Sequence, residues 1–176
     1  MSSSLSAPAP LADTRKRCFD PVVDAHTRLL ILGSLPGEKS LAHGQYYAHP
    51  QNKFWLLLGE VLGTDLQALP YEQRLAAVLA LGVGLWDVVA QAHRAGSLDS
   101  KIRNRDDNDL PGLLARFPAI GAIAFNGGTA AKLGIKVLGA QVSRYRIVAL
   151  PSSSPAHTKP YLEKLEQWRA LRQALA

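Results

Sequence analysis

Apolar runs of strand length alternate along this chain with segments of helical period, and that alternation constrains the fold more than any other feature. "RLLILG" (residues 28–33) reads as a buried strand. "NKFWLLLGEVLG" (52–63) and "YEQRLAAVLALG" (71–82) predict helices, each stopped by glycine where a left-handed C-cap belongs. "VGLW" is a second short strand, followed by "DVVAQAHRAG". The polar segment 97–109 reads as a loop, "LPGLLARF" as a brief helix, and "AIGAIAF" (119–125) as a third strand. "NGGTAAKLG" turns into another helix, "YRIVAL" is the fourth strand, and "KPYLEKLEQWRALRQALA" closes the chain as one long amphipathic helix. Such alternation predicts an α/β fold: a three-layer α/β/α sandwich around a central, mainly parallel, four-stranded sheet. Ligands of such sheets bind beyond the carboxyl ends of the strands. Those ends carry "GSLPG", "WDV", "FNGG" and "LPSSSP", so these segments are expected to converge on one edge.

The 176 residues suit one domain with a sizeable core, expected over 21–176, with 1–20 a disordered lead-in. No apolar run approaches the ~20 residues a membrane helix needs, so no membrane association is expected. The one cysteine, Cys18, has no intramolecular partner and no second metal-ligating thiol. An intracellular, cytoplasmic setting is therefore expected. The formal charge of +6 and pI near 9.7 favour polyanionic partners such as nucleic acid. "RKR" (15–17) and "KIRNR" (101–105) are local basic groups, although "DDND" follows the second and offsets its field. No metal-ligand spacing, Walker loop or nucleophile elbow is present, so no metal and no cofactor are expected.

Chemistry concentrates in "GSLPGEKSLAHGQYYAHPQNKFW", residues 33–55. A tight turn, aromatic faces and a neutral amide stand together there without an acid in the turn. Asn52 precedes an apolar helix, where asparagine is among the best N-caps. Asp87, after the second strand, is a helix-cap candidate as well. Asn126 heads an Asn-Gly pair, a common turn signal. Each of these polar residues therefore has a structural reading beside any chemical one.

The four strand-end segments resemble the uracil-DNA glycosylase superfamily, from about Arg28 to the C-terminus. "GSLPG" resembles its first motif, "YYAHPQNKFW" the aromatic and Asn-x-Phe-Trp stretch of its mismatch-specific branch, and "LPSSSP" its second motif. Departures are specific. Leu35 stands where the family carries Asp or Asn, Leu150 where it carries His or Asn, and Ser154 where a leucine wedge fills the vacated DNA stack. Together they resemble the hypoxanthine-DNA glycosylase branch, in which asparagines elsewhere carry catalysis.

The resemblance implies a monofunctional enzyme that removes hypoxanthine, and uracil as an alternative, leaving an abasic site. Asn52 and Asn126 take the catalytic roles, the first orienting water and the second donating to O6 or N7 of the departing purine. Tyr47 stacks against the flipped base, while Tyr46, Phe54 and Trp55 pack as core or wall. Asp87 accepts from hypoxanthine N1–H, which adenine lacks, and Gly33, Ser34 and Leu35 complete the base-binding turn. Gly37, Ser152, Ser153, Ser154, His157 and Lys159 are expected to meet DNA phosphates. Ser154 is too small to act as a wedge, and the 97–109 segment is the remaining source of one. The expected partner is double-stranded DNA with a damaged base, with single strands also open. A monomer is expected, associated with the nucleoid in a prokaryote. Two alternatives stay open: excision of uracil or thymine from mismatches, and non-catalytic nucleic-acid binding, since Leu35 cannot activate water.

Overall fold

The structure is a computed structural model that describes residues 15–176. In chain order its elements are β1 (Lys16–Arg17), β2 (Leu29–Gly33), α1 (Glu38–His43), α2 (Phe54–Leu62), α3 (Tyr71–Ala80), β3 (Val83–Asp87), β4 (Val89–His93), β5 (Arg103–Asp107), α4 (Leu110–Arg116), β6 (Ala122–Asn126), α5 (Gly128–Leu138), β7 (Arg146–Leu150), α6 (Tyr161–Trp168) and α7 (Ala170–Leu175). Four strands form a parallel sheet in the order β3-β2-β6-β7. A smaller antiparallel sheet, β1-β4-β5, stands beside it.

The sequence "LLILG" is apolar at every position because β2 is covered on both faces. Side chains alternate across a strand, so one run feeds two cores. Leu29 and Ile31 pack with Phe54, Leu57 and Leu58 of α2 and with Leu165 and Trp168 of α6. Leu30 and Leu32 pack with Leu113 and Leu114 of α4 and Ala130 and Leu138 of α5. This is the three-layer α/β/α architecture with a four-stranded parallel centre that the alternating pattern predicts.

Some elements differ from their sequence reading. Of the expected lead-in 1–20, residues 1–14 lie outside the described residues, but Lys16 and Arg17 form strand β1 against Ala92 and Gln91. The 97–109 segment is not a plain loop: a short 3-10 turn at Asp99–Lys101 leads into strand β5. Every residue of β5 is exposed, so it lacks the apolar alternation that reveals a strand, and only pairing with β4 defines it. The final helix is two, α6 and α7, meeting at Arg169. Among the described residues, no helix is long and apolar enough to cross a membrane.

Close approach of α5 to the sheet rests on Gly134. A Cβ built there would strike the Phe125 ring, with Cζ only 2.8 Å away. Gly134→Ala is expected to lower unfolding free energy by ~1–3 kcal/mol through overpacking. Urea denaturation measures this, and an unshifted midpoint would contradict so tight a helix–sheet contact.

Candidate active site

In the sheet order, β2 and β6 are neighbours whose onward connections part. The chain leaving β2 runs through α2 and α3 on one face, and the chain leaving β6 runs through α5 on the other. A crevice must open between their carboxyl ends, the usual ligand position in such sheets. A cavity of about 350 Å³ lies there. Its lining includes the Gly33–Gly37 turn, Tyr46, Tyr47, His49, Asn52, Ser97, Leu98, Asn126 and the Ser153–Ala156 loop. Strand ends that are far apart in sequence thus converge as expected.

Ser153 ties the Asn126 side chain to the backbone that follows Asn52. The Asn126 amide donates to Ser153 Oγ at 2.9 Å, and its Oδ1 accepts from the Ser153 N–H at 2.9 Å. The Ser153 carbonyl in turn accepts from the Lys53 N–H at 3.0 Å, next to Asn52. The N-cap of α2 is Lys53, without a side-chain cap bond, so Asn52 stands one residue before the cap position. Its Oδ1 nevertheless accepts from the Phe54 N–H at 3.0 Å, the first N–H of the helix. That bond holds one end of the amide while the residue lines the cavity. His49 supports the same turn, its Nδ1 accepting from the Gln51 N–H at 3.0 Å.

Tyr47 stacks on Phe54 with ring centroids 3.7 Å apart and planes 12° from parallel. Its backbone φ is +56°, an unusual conformation for a bulky residue and a common mark of a functional position. Burial first, then the Asp87 charge, raises its pKa and holds its phenol protonated. Gly33 is required next to it: a Cβ there would lie 3.0 Å from the Tyr47 hydroxyl and 2.7 Å from Asp87 Oδ1. Tyr46, Phe54 and Trp55 are core residues.

Asp87 does not line the cavity. It ends β3, the edge strand on the far side of β2, in register with Gly33. It is buried, and its Oδ2 has no hydrogen-bond partner among the described residues. Nor does it cap a helix, because strand β4 follows. Burial first, then the Asp99 carboxylate, pushes its pKa up to about 7, with Arg94 pulling it down.

Leu35 is buried in a small cluster with Val89 and Ala92, and no acid replaces it in the turn. What holds the turn is Arg94, which sequence reasoning missed. Its guanidinium donates to the carbonyls of Leu35 (3.1 Å), Gly96 (3.0 Å) and Pro36. Asp99 lies 3.9 Å from it and accepts from Ser34 Oγ at 2.7 Å. A charged residue in a polar stretch carries no burial signal in sequence, so neither Arg94 nor Asp99 could be found there. Of the expected phosphate contacts, Gly37, Ser153 and Ser154 line the cavity, and Ser152 does not. Ser152 Oγ instead accepts from the Ser154 N–H at 3.1 Å. His157 and Lys159 lie in an adjoining cleft with Lys53 and Lys164. Lys164 Nζ donates to the carbonyls of His157 (2.7 Å) and Ser154 (3.3 Å), pinning the loop. Among the described residues, no cluster of three His, Cys, Asp or Glu side chains could hold a metal.

The sign of the Asp87 effect follows from linkage. A folded-state pKa above the unfolded value means that the protonated carboxyl favours folding. That contribution is whole below about 3.8 and is lost as pH rises through about 7. Asp87→Asn is therefore expected to melt roughly 5–10 °C above wild type at pH 8.5, with the gap closing towards pH 4. Melting curves that stay parallel across that range would contradict a buried, protonated Asp87.

Similarity to known proteins agrees with this geometry. A Methanosarcina acetivorans protein named hypoxanthine DNA glycosylase is 39% identical over 156 residues, covering 89% of this chain and 97% of its own length. Its namesake from Methanosarcina barkeri is 37% identical, covering 88% and 96%. The solution structure of a protein from Methanosarcina acetivorans, described as a candidate uracil DNA glycosylase, superposes with a TM-score of 0.81 at 38% identity, covering 92% of this chain and 98% of that one. The family model of the uracil DNA glycosylase superfamily matches residues 21–176, and the chain belongs to that superfamily.

Proposed function

We propose that this protein is a monofunctional DNA glycosylase that hydrolyses the N-glycosidic bond of hypoxanthine in DNA and leaves an abasic site. The observation that carries this reading is the pair of carboxamides, Asn52 and Asn126, lining one base-sized cavity whose turn holds Leu35. The names of the two Methanosarcina relatives support the same substrate. A cavity of about 350 Å³ falls at the small end of ligand sites, as a single base requires.

The chemistry needs little from the protein beyond placement. A flipped base enters the cavity and lies against the Tyr47 ring, which Phe54 backs. Water adds to C1′ of the sugar as the C1′–N9 bond breaks, and the bonding electrons leave on the purine. The water's proton ends on the base. Asn52, one end of its amide held by the Phe54 N–H, orients that water. Asn126 has one amide hydrogen on Ser153, and the second is offered to O6 or N7 of an entering purine. Such a fixed donor aimed at developing negative charge is worth ~3 kcal/mol, about a hundredfold in rate. Asp87, beside Gly33 and outside the cavity lining, does not touch the base. The chain acts as a monomer on damaged duplex DNA, with phosphates entering the cleft of Lys53, His157 and Lys159.

Oligonucleotides carrying deoxyinosine, uracil or xanthine, treated with alkali after incubation, test the activity. Strand breaks at deoxyinosine are expected, preference for uracil or thymine mismatches would move the substrate to a pyrimidine, and binding without breaks would refute catalysis. Asn52→Ser retains an oxygen acceptor for the Phe54 N–H and loses the amide, so cleavage is expected to fall about a hundredfold at unchanged melting temperature. Parallel losses of stability and activity would leave Asn52 a structural residue alone. For the cleft, Lys53→Ala and Lys159→Ala are each expected to weaken binding at all sequences and to reduce the slope of log K against log salt by about 0.9. An unchanged slope would remove the cleft from the DNA path.

A further inference from the structure

We infer that Leu98 is the side chain that enters the base stack when the damaged base leaves it. The inference rests on the glycosylase reading above and adds a residue to it. Extruding a base leaves a gap, and proteins that distort DNA commonly fill or open such gaps with an apolar side chain. Ser154, at the motif position where a wedge is expected, is unsuited by more than size. Its Oγ accepts from the Ala156 N–H at 3.2 Å, and its carbonyl accepts from the His157 N–H and from Lys164. The residue is turned into its own loop.

Four large apolar side chains are exposed among the described residues: Leu81, Leu98, Ile135 and Leu162. Of these, Leu98 alone lines the cavity, and at 51% exposure it stands at the mouth. It packs into none of the hydrophobic clusters. An isolated exposed leucine needs no explanation by itself. Here the backbone that presents it is tied on both sides. Ser97 Oγ accepts from the Glu38 N–H at 3.0 Å, and the Gly96 carbonyl accepts from Arg94. The Leu98 carbonyl accepts from the Lys101 N–H at 3.0 Å, and Asp99 holds Ser34 at 2.7 Å. These bonds fix the turn to the wall of the cavity and leave the leucine side chain in water. Inserting it between bases removes that apolar surface from water at the moment the target base leaves. A tied backbone also lets the wedge act without ordering a loop first, so less entropy is lost on binding.

The test compares Leu98→Ala with wild type on a deoxyinosine duplex and on the same strand alone, under single turnover. The duplex rate is expected to fall about tenfold to a hundredfold, because only a duplex must be unstacked, and the single-strand rate to stay within about twofold. Leu98→Met is expected to restore most of the duplex rate. Leu162→Ala, which removes an exposed leucine outside the cavity, is expected to behave as wild type. Equal losses on both substrates, an unchanged duplex rate, or the same duplex-specific loss in Leu162→Ala would overturn the assignment. A 2-aminopurine placed beside the deoxyinosine provides a readout independent of cleavage: its fluorescence is expected to rise on binding wild type and not on binding Leu98→Ala. If wild type releases no hypoxanthine, the glycosylase reading fails while the fluorescence comparison still decides the role of Leu98.

Discussion

The structure depends on two parallel strands, β2 and β6, lying side by side while their onward chains pass to opposite faces of the sheet. No loop can close the gap that this parting creates. Both strands are buried along their whole length, so apolar side chains must continue to their ends. Polar chemistry can begin only where each strand stops: at Gly33 in one case and at Asn126 in the other. The cavity is where the sheet's packing rules end.

What turns a crevice into a site is a set of buried polar ties. Arg94 binds the carbonyls of the first turn, Ser153 locks both ends of the Asn126 amide, and Lys164 pins the second loop. Buried donors and acceptors left without partners are costly, so each tie holds its loop in one arrangement. That rigidity matters more here than it would beside a catalytic acid. A carboxamide stabilises developing charge only through a fixed dipole, and its effect is lost if the dipole must first reorient.

Negative charge gathers on a purine as it departs, and an uncompensated carboxylate beside it would oppose that step. The turn Gly33 to Gly37 carries no acid, with Leu35 in its middle. Asp87, beside Gly33, has its pKa raised towards neutrality, chiefly by burial. Asp99 is engaged with Ser34 and Arg94, and Glu38, on the cavity wall, is paired with Lys16 at 3.2 Å.

The runs "LLIL", "VGLW" and "AIAF", with the edge strand "RIVAL" and the intervening helices, were enough to determine a parallel α/β sandwich, because burial on both faces demands continuous apolar strands in the first three. The motif stretches were enough to place Tyr47, Asn52 and Asn126 at one edge. Exposed strand β5 was illegible, since a strand with no buried face carries no periodicity. Arg94 and Asp99 were illegible because a charge in a polar segment looks solvated until the fold encloses it. Asp87 illustrates the limit best: its position after a strand was readable, but strand order, set by long-range pairing, decided that it stands on the edge strand beside Gly33 and outside the cavity lining. Local sequence therefore determined the central strands, their intervening helices and the chemistry at their ends. Only tertiary packing decided which side chains share a cavity, because that depends on which strands become neighbours.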